Sequence, residues 1–388
     1  MNLIPLSNID CILESGYRPQ GGIIEGKGEV PSIGAEHLDD KGGFNFSKLK
    51  KIPRKFYDSM VKGVVKPNDI LIVKDGATTG KVSFVDNGFP YKEAAINEHV
   101  FLLRYCDEKV FPKYVFWHLF SPVGKKQILK DFRGATVGGI SKGFLDKVEI
   151  SLPSPKEQKR VAAILDKADA IRRKRQQAIK LAADFLRATF LDMFGDPITN
   201  PKGWPVFPLE KVGKISTGTT PSSDKAGMFG GNIPFITPGD LENGNEEIKR
   251  FVTEEGSRNS RTVRKGSTLV CCIGATIGKI GIAQERSAFN QQINAIEWHD
   301  AVNDLYGLTA MGFLKDLVID RAIKTTLPIL KKSEFEKINI PVPPQAIQTK
   351  YDKIFQYNST MKAKKKSLNN FSNILFNSLT QRAFRGEL

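Results

Sequence analysis

The sequence predicts an α/β (α+β) chain built in tandem: two globular domains, each followed by a long helix. The two helices are expected to pair antiparallel, in coiled-coil fashion, about a pseudo-two-fold axis. Three observations predict this. A Gly-Ala-Thr-x-Gly-Lys block occurs twice, as "GATTGK" at 76–81 and "GATIGK" at 274–279. The block "ISKGFLDKVEISLPSPKEQ" (140–158) matches "LKKSEFEKINIPVPPQAIQ" (330–348) at a constant offset of 190. Each half closes with a run free of proline and glycine, from Lys156 to Phe194 and from Gln345 to Arg385. Self-similarity at a fixed offset marks repeated structural units.

In chain order, residues 1–152 form the first globular segment. Short runs such as "DILIV", "KVSFV" and "HVFLLR", bounded by Gly, Asn and Pro, read as strands. "KYVFWHLF" (113–120) carries apolar residues at three- and four-residue intervals and reads as a helix. Residues 153–197 form the first long helix, with Pro153 and Pro155 before it and Gly195-Asp196-Pro197 ending it. Residues 198–342 repeat the first segment: "GNIPFI" (231–236) answers "GEVPSI" (28–33), "FNQQ" (289–292) answers "INEH" (96–99), and 308–323 reads as a helix. Residues 343–388 form the second long helix, ended by Gly386.

Forty residues at 1.5 Å each make a rod of roughly 60 Å. On the first helix Ile164, Ala168, Ile171, Ala178 and Phe185 recur at near-heptad spacing, and on the second Ile354, Met361, Leu368 and Leu375 do the same. These residues are the expected seam of the pair, broken at Arg175 and Lys365. The basic runs "RRKRQ" (172–176) and "KAKKK" (362–366) are either a solvated face or a surface for a partner protein or DNA phosphates.

The glycine-lysine blocks invite comparison with a nucleotide-binding loop, and both copies fail it. That loop needs a glycine five residues before the Gly-Lys pair and a hydroxyl after it; Asp75 and Val82 stand there in one copy, Ile273 and Ile280 in the other. The blocks are instead expected to be tight turns between strands. Catalytic patterns are equally missing. "NIPF" (232–235) has Ile233 where an amino-methyltransferase needs proline, and "DILIVK" has Ile72 where a magnesium-dependent nuclease needs an acid. No G-x-S-x-G elbow occurs. Cys11, Cys106, Cys271 and Cys272 form no C-x-x-C pair and suit a reducing compartment, and the four histidines lack metal-ligand spacing. No apolar run approaches the ~20 residues that span a bilayer, and the N-terminal residues do not read as a signal peptide. The expectation is a cytoplasmic, non-catalytic chain with no metal and no membrane partner.

Net charge is +16, with 32 Lys/Arg against 23 Asp/Glu in the first 194 residues and 26 against 19 in the last 194. A positive excess shared by both halves points to a polyanion, and double-stranded DNA is the expected one. The loops "DFRGATVGGISK" (131–142) and "RAIKTTLPILKK" (321–332) differ where their surroundings agree. Polar and cationic residues in such loops are the types that read base edges or grip phosphates. The candidates are Lys74, Thr78, Thr79, Lys81, Asn97, Arg133, Thr136 and Lys142 in the first half. In the second they are Thr276, Lys279, Asn290, Gln291, Lys324, Thr325, Lys331 and Lys332.

Four stretches resemble the specificity (S) subunits of type I restriction–modification systems. They are the junction starting "FLDMFGDPITNPKGWP" at Phe190, the terminus "LFNSLTQRAFRGEL" (375–388), the proline-rich lead-in "LPSPKEQKRVAAIL" (152–165), and the repeated GATxGK with its downstream Asn97 or Asn290. The second lead-in, "VPPQAIQTKYDKIF", departs from the family form at Ala346 and Ile347. The resemblance implies two target recognition domains that read the halves of a split, asymmetric DNA site, with the helices setting the gap. It also implies two methyltransferase subunits carrying S-adenosylmethionine, with ATP- and magnesium-dependent restriction subunits as further partners. Catalysis and cofactors would then belong to those partners.

Overall fold

The structure, a computed structural model, describes residues 3–20, 22, 28–134, 138–241, 248–323 and 327–388, leaving aside the side chains of 362–367 and 369–371. Two compact units form: Met1–Gln177 with Ser367–Leu388, and Ala178–Lys366. Each holds one globular segment, half of the first long helix and half of the second.

In the first unit, β1 (Ile12–Ser15), β2 (Ile70–Val73), β3 (Val82–Phe84) and β4 (Val100–Arg104) make an antiparallel sheet in the order β1-β4-β2-β3. All four residues of β2 are fully buried. Because side chains alternate along a strand, Ile70 and Ile72 join one cluster with Trp117 and Leu165, while Leu71 and Val73 join another with Ile33 and Val100. With both faces covered, the strand reads as an unbroken apolar run instead of an alternating one. A smaller sheet sets Val30–Ile33 antiparallel to Lys50–Ile52 and parallel to Ala95–Ile96.

The second unit repeats this plan. Strands β5 (Gly213–Thr217), β6 (Thr268–Cys271), β7 (Ile280–Ile282) and β8 (Ile293–Trp298) pair in the order β5-β8-β6-β7. Val270 faces one core with Phe190 and Tyr351, and Leu269 and Cys271 face another with Ile236 and Phe289. Phe229–Ile236 runs parallel to Ser287–Phe289, so the parallel pairs Ile33↔Ile96 and Ile236↔Phe289 answer each other. The helix expected over 308–323 is two helices, Asp304–Phe313 and Lys315–Asp320, separated at Leu314.

Two repeated locks join each globule to its long helix. Tyr114 donates its hydroxyl to the Ser151 carbonyl (3.0 Å), as Tyr306 does to Pro341 (2.6 Å). Gln158 and Gln348, both fully buried, saturate their amides in the same way. The Gln158 oxygen accepts from Phe111 N (2.8 Å) while its nitrogen donates to the Lys109 and Pro153 carbonyls. Gln348 accepts from Asn303 N (2.8 Å) and donates to Ala301 and Pro343.

The long helices span Pro155–Phe194 and Gln345–Arg385. Proline opens the first, and Gly195 (φ 78°) and Gly386 (φ 75°) take the left-handed conformation just past each end. Contacts inside each unit are antiparallel. In the first, Arg160 donates to the Leu388 carbonyl (2.7 Å), Arg172 lies over the Phe376 ring (4.7 Å) and Arg175 donates to the Leu368 carbonyl (3.2 Å). In the second, Phe190 and Phe194 both pack on Tyr351.

The seam lies one residue round from the expected stripe. Ile171, Phe185, Leu368 and Leu375 are more than half exposed and Met361 is also exposed, while Ile164, Ala168, Ala178 and Ile354 are half-buried. Besides Gln158 and Gln348, the buried positions among the described residues are Val161, Ala162, Leu165, Asp169, Ala182, Phe190 and Phe194 on the first helix and Tyr351, Asn358, Ser372, Phe376, Thr380 and Ala383 on the second. An apolar period locked onto the neighbouring row because the true seam contains polar side chains. Asp169 is neutralised by Arg172 and Arg173 (both 2.5 Å), and Ser372 and Thr380 return their hydroxyls to carbonyls of their own helix. Arg172 and Arg173 are therefore structural members of "RRKRQ", and the side chains of "KAKKK" lie outside the described residues.

Candidate nucleic-acid interface

The β2–β3 connection is the GATTGK turn. Gly76 (φ 91°) and Gly80 (φ 81°) supply its two left-handed positions. Gly80 N donates to Val73 O (2.9 Å) and Thr79 N and its hydroxyl both donate to Gly76 O. Arg133 and the segment Gly138–Ile140 are laid against this turn. Arg133 and Gly139 exchange two backbone hydrogen bonds of 2.9 Å, Gly76 N donates to Gly138 O (3.1 Å) and Ile140 N to Lys74 O (2.8 Å). Lys74 N donates to His99 O (2.8 Å), which brings in a third segment. His99 Nδ1 sits 2.5 Å from Asp75 Oδ1.

The second unit builds the same frame from a different sequence. Gly274 (φ 92°) and Gly278 (φ 84°) shape the GATIGK turn. Gly278 N donates to Cys271 O (2.9 Å), Gly274 N to Pro328 O (2.8 Å) and Leu330 N to Cys272 O (2.8 Å). Ile323 N donates to Ile329 O (3.0 Å) and Ile329 N to Ile323 O (3.4 Å), and Cys272 N donates to Gln292 O (2.8 Å). Arg133, Gly138, Gly139 and Ile140 thus correspond to Ile323, Pro328, Ile329 and Leu330 at the offset of 190.

The expected contact residues divide sharply once placed. Arg133 is 79% exposed, with its guanidinium 3.3 Å from Asp131; Lys142, Gln291 and Lys331 are also exposed. Burial alone would raise the Asp131 pKa, but hydrogen bonds from the Ser141 hydroxyl and backbone N–H (2.7 Å each) hold it below the usual carboxylate value. Lys74 and Thr78 are half-buried, Lys74 lying 3.6 Å from Asp75. Thr79 is buried, and Lys81 is paired with Asp40 at 3.0 Å. Thr276 is half-buried with its hydroxyl 3.4 Å from the Cys271 thiol, and Lys279 is half-buried. Lys332 pairs with Glu336 (3.2 Å), and Gln291 accepts from the Thr220 hydroxyl (2.6 Å). Asn97 and Asn290 turn their side-chain oxygens onto the chain itself, accepting from His99 N (3.0 Å) and Gln292 N (3.1 Å). Thr136, Lys324 and Thr325 lie outside the described residues.

Sequence reading missed Lys125 and Lys315, which share the 190 offset and lie on the short helices beside the turns. Leu129, just past the first of these helices, packs on Gly80, and Ile319 and the Lys315 stem pack on Gly278. It also missed the aliphatic surface beside the second turn, where Ile323 and Leu327 are 52% exposed and Ile329 is 36% exposed.

A nucleotide phosphate finds no cradle here. The blocks join strand to strand instead of strand to helix, and the N–H groups of Gly76, Thr79, Gly80 and Lys81 are all bonded to carbonyls. Among the described residues no His/Cys/Asp/Glu group could hold a metal ion, and no helix is long and apolar enough to cross a membrane. What the frame presents is a turn and the paired residues beside it, with side chains that change from one unit to the other.

A family model described as the type I restriction modification DNA specificity domain matches residues 6–181 and again 201–370. The MjaIX type I restriction enzyme specificity subunit of Methanocaldococcus jannaschii is 32% identical over 178 residues, 44% of this chain and 41% of that relative. The HindI specificity subunit of Haemophilus influenzae is 28% identical over 194 residues, 45% of this chain and 40% of the relative. Each alignment therefore spans about two fifths of the relative's length. The crystal structure of a type I restriction–modification S subunit from M. genitalium shares the fold, with a TM-score of 0.62 at 16% identity over 99% of this chain and 96% of the other. The chain belongs to the type I restriction–modification specificity family and carries its DNA specificity domain twice.

Proposed function

We propose that the chain reads a bipartite, asymmetric DNA target, one half-site per unit, and has no catalysis of its own. The observation that carries this reading is the pair of matched frames bearing unlike residues, Arg133, Gly138 and Gly139 in one and Ile323, Pro328 and Ile329 in the other. One scaffold with two loop chemistries is what two unrelated half-sites require. The charge of +16 supplies the general attraction to phosphate.

Two methyltransferase subunits dock on the long helices in this reading. Support comes from the apolar surface that the helix pair leaves uncovered. In the second unit Leu181, Phe185, Ile354, Tyr357 and Met361 line a groove of about 700 Å³, with Leu181, Phe185 and Tyr357 more than half exposed. Those partners bring S-adenosylmethionine and flip out the adenine to be methylated. Restriction subunits with ATP and magnesium complete the nuclease, and the complex works in the cytoplasm, where the host DNA is.

The test is a map of N6-methyladenine across the host genome with and without the gene. Loss of one split, asymmetric motif is expected. An unchanged map in a host that expresses the chain and its methyltransferase would reject the reading.

A further inference from the structure

We infer that the two units read opposite base chemistry at one matched position. Arg133 addresses a guanine in the first half-site, and Ile323, with Leu327 and Ile329, addresses thymine methyl groups in the second. The inference rests on the reading of both units as DNA readers.

Residues 133 and 323 are structurally equivalent. Each exchanges backbone bonds with the residue six positions on, Gly139 or Ile329, and each pair is pinned to a GATxGK turn through Gly76 or Gly274. The frame fixes where the side chain starts, and the side chain that starts there differs.

In the first unit close packing fixes the backbone that pairs with Arg133. A Cβ at Gly138 would come 2.2 Å from the Phe132 ring, and one at Gly139 would come 2.8 Å from the Lys74 carbonyl, so neither position admits a larger residue without rearrangement. Asp131, fixed by Ser141, holds one edge of the Arg133 guanidinium at 3.3 Å, and the side chain is otherwise 79% exposed. A tethered planar fork of N–H donors fits the O6 and N7 acceptors that guanine alone presents together in the major groove.

In the second unit the same position is a branched aliphatic with no donor. Ile323, Leu327 and Ile329 are three exposed apolar side chains at and beside the Ile323–Ile329 pair. Exposed Arg321 and Lys331 flank them in sequence. An apolar patch bordered by cations suits a polyanion that offers apolar groups, and the C5-methyl of thymine is the apolar group of the major groove.

The experiment uses the full chain co-purified with its methyltransferase subunits and duplexes carrying the target read from the methylation map. Deoxyuridine in place of a thymine removes one methyl group and leaves base pairing intact. At a thymine faced by the Ile323–Ile329 pair it should weaken binding about fourfold. 7-Deazaguanine at one guanine of the first half-site should weaken binding about tenfold. In the mapped motif, Arg133→Ile should change one position of the first half-site only. Ile323→Arg should convert one A·T pair of the second half-site to G·C. Specific binding that is insensitive to both base analogues overturns this inference and leaves the function standing, as does a second half-site without A·T beyond the methylated pair. Failure of the wild-type complex to bind any sequence specifically overturns both.

Discussion

His118 shows how a single buried side chain ties the first unit to pH. It is 3% exposed, its Nε2 lies 3.1 Å from Gln127 Oε1, and its ring meets Phe384 of the second long helix edge-on at 4.8 Å. Burial pushes its pKa down to about 4. The unfolded chain takes up this proton near pH 6.5 and the folded one only near 4. Stability is therefore fully present above pH 6.5 and is lost as pH falls toward 4, by at most about 3 kcal/mol. Urea denaturation midpoints between pH 4.5 and 7.5 should fall less steeply for His118→Gln than for the wild type; identical slopes would contradict it. At this scale the sequence is least legible. Asn97 and Asn290 look like base-reading amides, yet both cap their own turns. Which way a short polar side chain turns depends on a backbone N–H two residues away, and composition does not encode that.

The elements were more legible, because proline and glycine punctuate them. Both long helices start and stop close to the expected positions, since a missing N–H is tolerated in the first helical turn and a left-handed glycine closes the last. The phase of their contact was hidden by the buried polar residues Asp169, Asn358, Ser372 and Thr380; Asp169 is paired with two arginines, and Ser372 and Thr380 bond to their own helix. The 190 offset did expose Gln158 and Gln348, whose amides fasten each helix start to its globule. Truncation to alanine leaves three backbone groups unsatisfied at each site, so Gln158→Ala and Gln348→Ala should each cost about 2–3 kcal/mol. The two sites lie in separate units and share no partners, and the double variant should show additive losses in equilibrium denaturation. A coupling above about 1 kcal/mol would show that the two locks act as one.

For the whole molecule, the tandem was readable from repeats alone, whereas the composition of the compact units was not. Which half of a helix belongs to which unit is decided by side-chain packing across a sequence separation that no local pattern reports. Each helix is divided between units, near Gln177 in the first and Lys366 in the second. Lengthening one helix alone would therefore put the seam out of phase. Inserting seven residues in both, at these divisions, keeps the seam phase and adds about 10 Å of helix. If the helices set the gap, the methylated motif should widen by about three base pairs. An unchanged gap with both half-sites intact would remove that role.

Division of the helices also orders events during synthesis. Residues 367–388, which cover Trp117, Val161 and Leu165 with Phe376 and Ala383, leave the ribosome about 190 residues after Gln177. At ordinary elongation rates that is a delay of ~10–40 s. The second unit is contiguous and can finish first, while the N-terminal unit waits with part of its core uncovered. A nascent chain interrupted in that interval exposes an apolar surface that chaperones and proteases recognise, so incomplete chains are open to removal.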